Sequence, residues 1–215
     1  MRILGIDEAG RGPVLGPLVV AGVVAEDQEV LRDLGVRDSK KLTAPQRVAL
    51  VSEIEKVAVA RVHRIDAAEL DASMKEESLN RVEARSFAEL IRELAPEEAI
   101  VDCCDTDERR FASRILQDLG YDVPLRAEHK ADEHHPIVSA ASIIAKVARD
   151  AEVRSIGREL GMPVGSGYAH DPMTRAFLKH WVAVHGEMPP HTRLAWKTSQ
   201  DLLSKAHAGK LTEWE

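Results

Sequence analysis

Acidic residues stand at three places where an apolar run ends or a helix begins. Asp7-Glu8 follows Ile3-Leu4-Gly5-Ile6, Asp102 closes Ala99-Ile100-Val101, and Asp132 lies in a polar loop just before a long helical pattern. In α/β sheets, strand ends are where ligands bind. Carboxylates gathered there raise one another's pKa unless a cation shares them. Mg2+ suits such a place, because it takes a few carboxylates and keeps positions for water and phosphate oxygens. The chemistry this implies is metal-dependent phosphoryl transfer. For any single Asp a solvated loop carboxylate is favoured by about three to one. Two acids that each close an apolar strand, one followed by Glu-Ala-Gly-Arg-Gly, shift that balance.

Gly10-Arg11-Gly12 has a mechanical sense of its own. Two glycines one residue apart permit backbone conformations and a close approach that a Cβ blocks, and the arginine between them offers a charged fork for phosphate. Alone, the triplet is also an ordinary tight turn before Pro13. It is neither a Walker loop nor a dinucleotide fingerprint, since both glycine spacings are absent.

The elements that must position these residues follow from patterning. Arg2–Asp7 and Leu18–Val24 are short apolar strands joined by an irregular Gly/Pro-rich connection. Thr43 with Gln46 predicts a capped helix start, carrying Val48, Val51, Ile54 and Val57 at helical spacing. Strands are expected over Val57–Ile65, Ala99–Asp102 and Val123–Ala127. Helices are expected over Ser78–Leu94, over Asp107–Leu119 with Gly120 as its stop, and from Pro136 to about Leu160 before Gly161. The remainder is helical and loop-like. The order predicts an α/β sandwich with mixed strand directions and a helical C-terminal region.

Composition narrows the class. At 215 residues and 44% hydrophobic, the chain suits one large domain with a real core and excludes intrinsic disorder. Pro13–Ala25, its longest weakly polar run, is too short and too rich in Pro and Gly to span a membrane. No secretory leader pattern opens it, so a cytoplasmic protein is expected. Adjacent Cys103 and Cys104 give neither a disulfide framework nor zinc spacing and are expected to be small buried residues. The net charge of -7 is unfriendly to polyanions, although a divalent ion held by the strand-end carboxylates would offset part of it where a phosphate must sit.

The motifs are specific when taken together. I-D-E-A-G-R-G-P-x-x-G-P at residues 6–17 resembles the N-terminal signature of the ribonuclease HII family. D-S-K-K-L at 38–42, V-D at 101–102, E-H-K-A-D at 128–132, V-S-A-A-S-I-I-A-K-V-x-R-D at 138–150 and G-S-G-Y at 165–168 follow in order, in an archaeal-type spelling. The resemblance covers nearly the whole chain. It implies a ribonuclease H-like mixed sheet flanked by helices, forming a single catalytic domain over 1–215. About 161–215 would be a helical subdomain completing the substrate cleft.

The same resemblance implies the chemistry. Asp7, Glu8, Asp102 and Asp132 would hold two divalent ions, Mg2+ or Mn2+, one activating the attacking water and the other stabilising the leaving 3′ oxygen. Gly10, Arg11, Gly12 and Tyr168 would sense the ribose 2′-hydroxyl, the group that separates RNA from DNA. Ser39, Lys40 and Lys146 would contact phosphates, although Lys146 is also readable as a snorkelling lysine on a packed helix. The implied substrates are RNA–DNA hybrids and duplex DNA carrying ribonucleotides. Cleavage would fall 5′ to a ribonucleotide and leave 3′-hydroxyl and 5′-phosphate ends, in ribonucleotide removal and RNA primer processing. Asp105 and Asp107 are expected to be solvated or to cap the next helix, and His129, His134 and His135 are left out of a hard-metal site.

The family suggests a monomer, and archaeal members often bind a sliding clamp through a C-terminal peptide. Leu211-Thr212-Glu213-Trp214 matches that peptide weakly, so a frayed tail is the favoured expectation. Two other functions share part of this pattern. A resolvase-like nuclease would have the acids without the ribose reader. A non-catalytic nucleic-acid-binding module would gain nothing from four repelling carboxylates.

Overall fold

The computed structural model describes residues 1–36 and 42–212, with side chains through 205. The described chain forms β1 (Ile3–Ala9), β2 (Leu18–Ala25), α1 (Gln28–Asp33), α2 (Ala44–Val57), β3 (Val59–Ile65), α3 (Ala67–Ser73) and α4 (Leu79–Leu94). Then come β4 (Glu98–Asp102), α5 (Glu108–Leu119), β5 (Leu125–Glu128), α6 (Ala131–His134), α7 (Pro136–Glu159), α8 (Pro172–His185) and α9 (Lys197–Thr212). These divide into two compact units, one of residues 1–9, 19–64 and 77–148, the other of 10–18, 65–76 and 149–215.

The first unit holds the sheet, ordered β3-β2-β1-β4-β5. β1 pairs antiparallel with β2 and parallel with β4, and β4 pairs parallel with β5, so strand directions are mixed as expected. Alternation along each strand splits the core in two. Leu4, Ile6, Val20, Ala99 and Val101 pack with Phe87 and Leu90 of α4 and Phe111 and Ile115 of α5. Val19, Ala21, Val23 and Ile100 face the other way, against Ile137, Val138 and Ala141 of α7. A sheet covered on both faces needs continuous apolar strands, and these are the runs seen in the sequence.

Helix punctuation is local chemistry. The Thr43 amide donates to Gln46 Oε1 at 2.8 Å, Asp107 Oδ1 accepts from Arg110 N at 3.0 Å, and Gly120 ends α5 at φ 79°. In α2 only Ile54 is buried, while Val48 and Val57 are exposed. Its apolar spacing therefore marks a helix but not a wide buried face. The second unit packs Val14, Leu15, Val153, Ile156, Phe177 and Leu178 into a core of its own. The backbone of α9 is helical through Thr212. Glu213 and Trp214 lie outside the described residues.

Candidate active site

Sheet register gathers the acids. β1 and β4 run parallel with Ile6 opposite Val101. Ile6 and Val101 share one face, so the next residues, Asp7 and Asp102, emerge side by side on the opposite face, at the same strand ends. That is the α7 face. Gly5 lets α7 approach, since a Cβ there would fall 2.6 Å from Val138 N. Ser142 of α7 then hydrogen-bonds Asp7. β5 ends at the same edge and turns through Lys130, at φ 57°, into α6. Asp132 is on this short helix and not in a loop as expected; its main-chain carbonyl accepts from Ser139 Oγ.

One oxygen each from Asp7, Glu8 and Asp102 lie within 4.8 Å of one another. Asp7 is 6% exposed. Burial first, then Asp102 and more weakly Asp132, push its carboxyl up to about 7 against the lowering bonds from Ser142 and the Glu8 amide. Asp132 therefore acts electrostatically on the same cluster. The Glu8 amide donates to Asp7 Oδ1 at 2.7 Å, and the Ala131 amide donates to Asp102 Oδ1 at 2.7 Å. An all-oxygen set in which neighbouring carboxylates push the buried Asp7 up has the chemistry of a hard divalent-ion site. Lys146 is half-buried one turn beyond Ser142, on the same side of α7.

The second unit holds the glycine-bracketed turn. A Cβ on Gly12 would stand 3.9 Å from Tyr168 Cε1, so Gly10–Gly12 and Tyr168 are brought together. Asp171 Oδ2 accepts from Ser166 N and Ser166 Oγ, each at 2.6 Å, and those bonds hold its carboxyl down to about 2. Thr174 Oγ1 accepts from Gly167 N at 2.9 Å. Tyr168 is thus carried on a braced loop. Ser39 and Lys40 lie outside the described residues.

Several contributors carry no signal of their own in the sequence. Ser142 and Arg149 fall inside a matched motif, whereas Arg193 lies outside every one. Arg193 is fully buried 183 residues from Gly10, and donates to the carbonyls of Gly10 at 2.6 Å, Arg11 at 3.1 Å and Gly16 at 2.9 Å. Asp105 corrects an expectation, being 3% exposed and ion-paired with Arg110 and Arg114 rather than solvated. Asp107 is the helix cap, as expected. His129 Nε2 lies 2.8 Å from Asp105 O, and His135 Nε2 lies 2.8 Å from Glu128 Oε2, so both histidines have structural partners. Cys103 is buried, with its thiol pushed up to about 11 by that burial, while Cys104 is only half-buried.

The Arg110 hydrogen bond is the largest cause holding the Asp105 carboxyl well below the usual carboxylate range. A depressed folded pKa stabilises above the unfolded value near 4, and that stabilisation fades as pH falls below it. Asp105→Asn is expected to cost about 2–3 kcal/mol at pH 7, a partial loss of a buried pair whose arginines are part-exposed. Thermal melts should show the gap narrowing steadily as pH falls below about 4. An equal gap at pH 7 and pH 2.5 would refute the assignment.

The ribonuclease HII family model matches residues 4–199. The ribonuclease HII of Thermococcus kodakarensis is 43% identical, covering 99% of this chain and 94% of its own. The crystal structure of ribonuclease H2 from Pyrococcus horikoshii superposes with a TM-score of 0.90 at 40% identity, covering 96% of this chain and 99% of that one. A chain of the PCNA:RNase HII complex from Archaeoglobus fulgidus gives a TM-score of 0.87 at 44% identity, covering 92% and 96%. Among the described residues no helix is long and apolar enough to cross a membrane. Similarity of this extent over nearly the full length of each chain places this one in the ribonuclease HII family, as a metal-dependent endoribonuclease with the ribonuclease H-like fold.

Proposed function

We propose that the chain hydrolyses the RNA strand of RNA–DNA hybrids and nicks duplex DNA 5′ to an embedded ribonucleotide, leaving 3′-hydroxyl and 5′-phosphate ends. The observation that carries the reading is the convergence of Asp7, Glu8 and Asp102, with Asp132 acting on Asp7. These four side chains would hold two divalent ions, Mg2+ or Mn2+. When bound, the ions supply charge stabilisation and an activated water at the scissile phosphate. Ser142 and the Glu8 amide orient Asp7, and the Ala131 amide orients Asp102, so the carboxylates are held before substrate arrives. Gly10, Arg11 and Gly12 present backbone to the ribose, and Tyr168 contacts the 2′-hydroxyl and stacks on the next, deoxy sugar. Ser39, Lys40 and Lys146 are assigned to phosphates. The Archaeoglobus complex supports a sliding clamp as the partner class, with Leu211–Trp214 as the peptide.

The deciding assay incubates the protein and Mg2+ with a DNA duplex carrying one ribonucleotide, beside an all-DNA duplex. We expect a single nick on the first only, with a ligatable 5′-phosphate on the downstream product. Cleavage of both duplexes would point to a nuclease without ribose selection, and cleavage of neither to a binding module.

A further inference from the structure

Arg149 is fully buried, yet it makes little of its hydrogen-bonding capacity. Its Nη2 donates to Ser166 O at 2.9 Å, and its Nη1 stands 3.6 Å from Asp150 Oδ1. Nε and Nη1 have no hydrogen-bond partner among the described residues. The guanidinium carbon lies 4.9 Å from the centroid of the Tyr168 ring. A Cβ on Gly10 would sit 2.6 Å from Arg149 Cδ and Nε, and one on Gly167 would sit 2.9 Å from its Nη2. The guanidinium thus fills the space left by two missing Cβ atoms, one in each glycine-rich segment, and touches the aromatic ring between them.

Burying a guanidinium with so few partners is costly, and an apolar side chain of similar volume would be no worse for the fold. Stability therefore does not account for an arginine here. A planar cation does what an apolar chain cannot: it stacks on a π-face while a fork nitrogen fixes the carbonyl two residues before that ring. We propose that Arg149 is a positioning residue that sets the Tyr168 ring against the Gly10–Gly12 turn, and so sets how strongly the enzyme prefers an RNA–DNA junction. The proposal rests on the reading of Gly10–Gly12 and Tyr168 as the ribose reader.

Two measurements test it on the full chain. In the first, ring resonances of the chain's two tyrosines, Tyr121 and Tyr168, are compared in wild type, Arg149→Met and Arg149→Lys. The Tyr168 signals are expected to move in both variants, more in Met, while those of Tyr121 stay. The second measures junction preference, the cleavage rate of a single-ribonucleotide duplex divided by that of a long RNA–DNA hybrid. Arg149→Met should lower this ratio about tenfold, Arg149→Lys less, and Arg149→Met added to Tyr168→Ala should lower it no further than Tyr168→Ala alone.

An unmoved Tyr168, an unchanged ratio with both rates falling together, or losses that multiply in the double variant would each overturn the proposal. If Arg149→Met does not fold, the Lys variant carries both measurements. Full junction preference in Tyr168→Ala alone would refute the ribose-reader reading instead, and the ring resonances would still decide whether Arg149 positions Tyr168.

Discussion

Asp7→Asn is expected to yield a protein that melts higher than wild type without metal and cleaves at least about 10³-fold more slowly, a loss of about 4 kcal/mol of transition-state stabilisation. Both effects have one cause. Asp7 is buried beside Asp102 and Glu8, and its carboxyl is pushed up to about 7, by burial more than by Asp102. A folded pKa above the unfolded one near 4 means that the neutral form suits the fold. Stability from that preference is complete below pH 4 and is lost as pH rises through 7, where the charged carboxylate is forced on the fold. Asn keeps the shape without the charge.

Because Asp102 shares the repulsion, only part of the shift belongs to Asp7 alone. The gain at pH 8 is put at about 1–3 kcal/mol, which for a chain of this size raises Tm by several degrees. At pH 5 the two proteins should melt closer together. Added Mg2+ should reverse the order at pH 8, because an ion held by the native carboxylates stabilises wild type by mass action. Melts in EDTA and in Mg2+, beside single-turnover cleavage, decide this. An Asn variant that melts lower in EDTA, or that cuts within tenfold of wild type, would show that Asp7 is not a repelled metal ligand.

The strands and the acids were legible for one reason. A sheet covered on both faces must be written as apolar runs, so an acid ending such a run stands out. Asp7 and Asp102 could be named before their registers were known, but their adjacency could not, because it depends on Ile6 facing Val101 across parallel strands. The short helices were silent for the opposite reason. α1 buries only Leu31, and one buried residue makes no period. Asp105, Arg149 and Arg193 were illegible individually, since a charged side chain in a loop or helix reads as solvated until distant segments close over it. Asp105 needs Arg110 and Arg114 from the next helix. Arg193 needs carbonyls from the other end of the chain.

That dependence makes Gly10→Ala the second large effect. Gly10 has φ +98°, and its added Cβ would lie 2.6 Å from Arg149 Cδ and 2.7 Å from Pro17 O. The turn cannot drift to relieve either contact, because Arg193 holds the carbonyls of Gly10, Arg11 and Gly16, and Arg149 is itself fully buried. The positive φ alone costs about 1–2 kcal/mol, and the overpacking adds about 1–3 kcal/mol. Gly10→Ala is therefore expected to lower Tm by several degrees and to reduce cleavage of the single-ribonucleotide duplex about 10²-fold or more. Gly12 supplies the contrast, since its Cβ would meet nothing nearer than Tyr168 Cε1 at 3.9 Å. Gly12→Ala should melt within a degree or two of wild type and yet cleave more slowly, because the added methyl obstructs the ribose rather than the fold. Melts and single-turnover rates on the two variants separate the roles: equal destabilisation by both would show that the two glycines serve only the turn, and a Gly10→Ala protein as stable as wild type would mean that the two buried arginines do not clamp it.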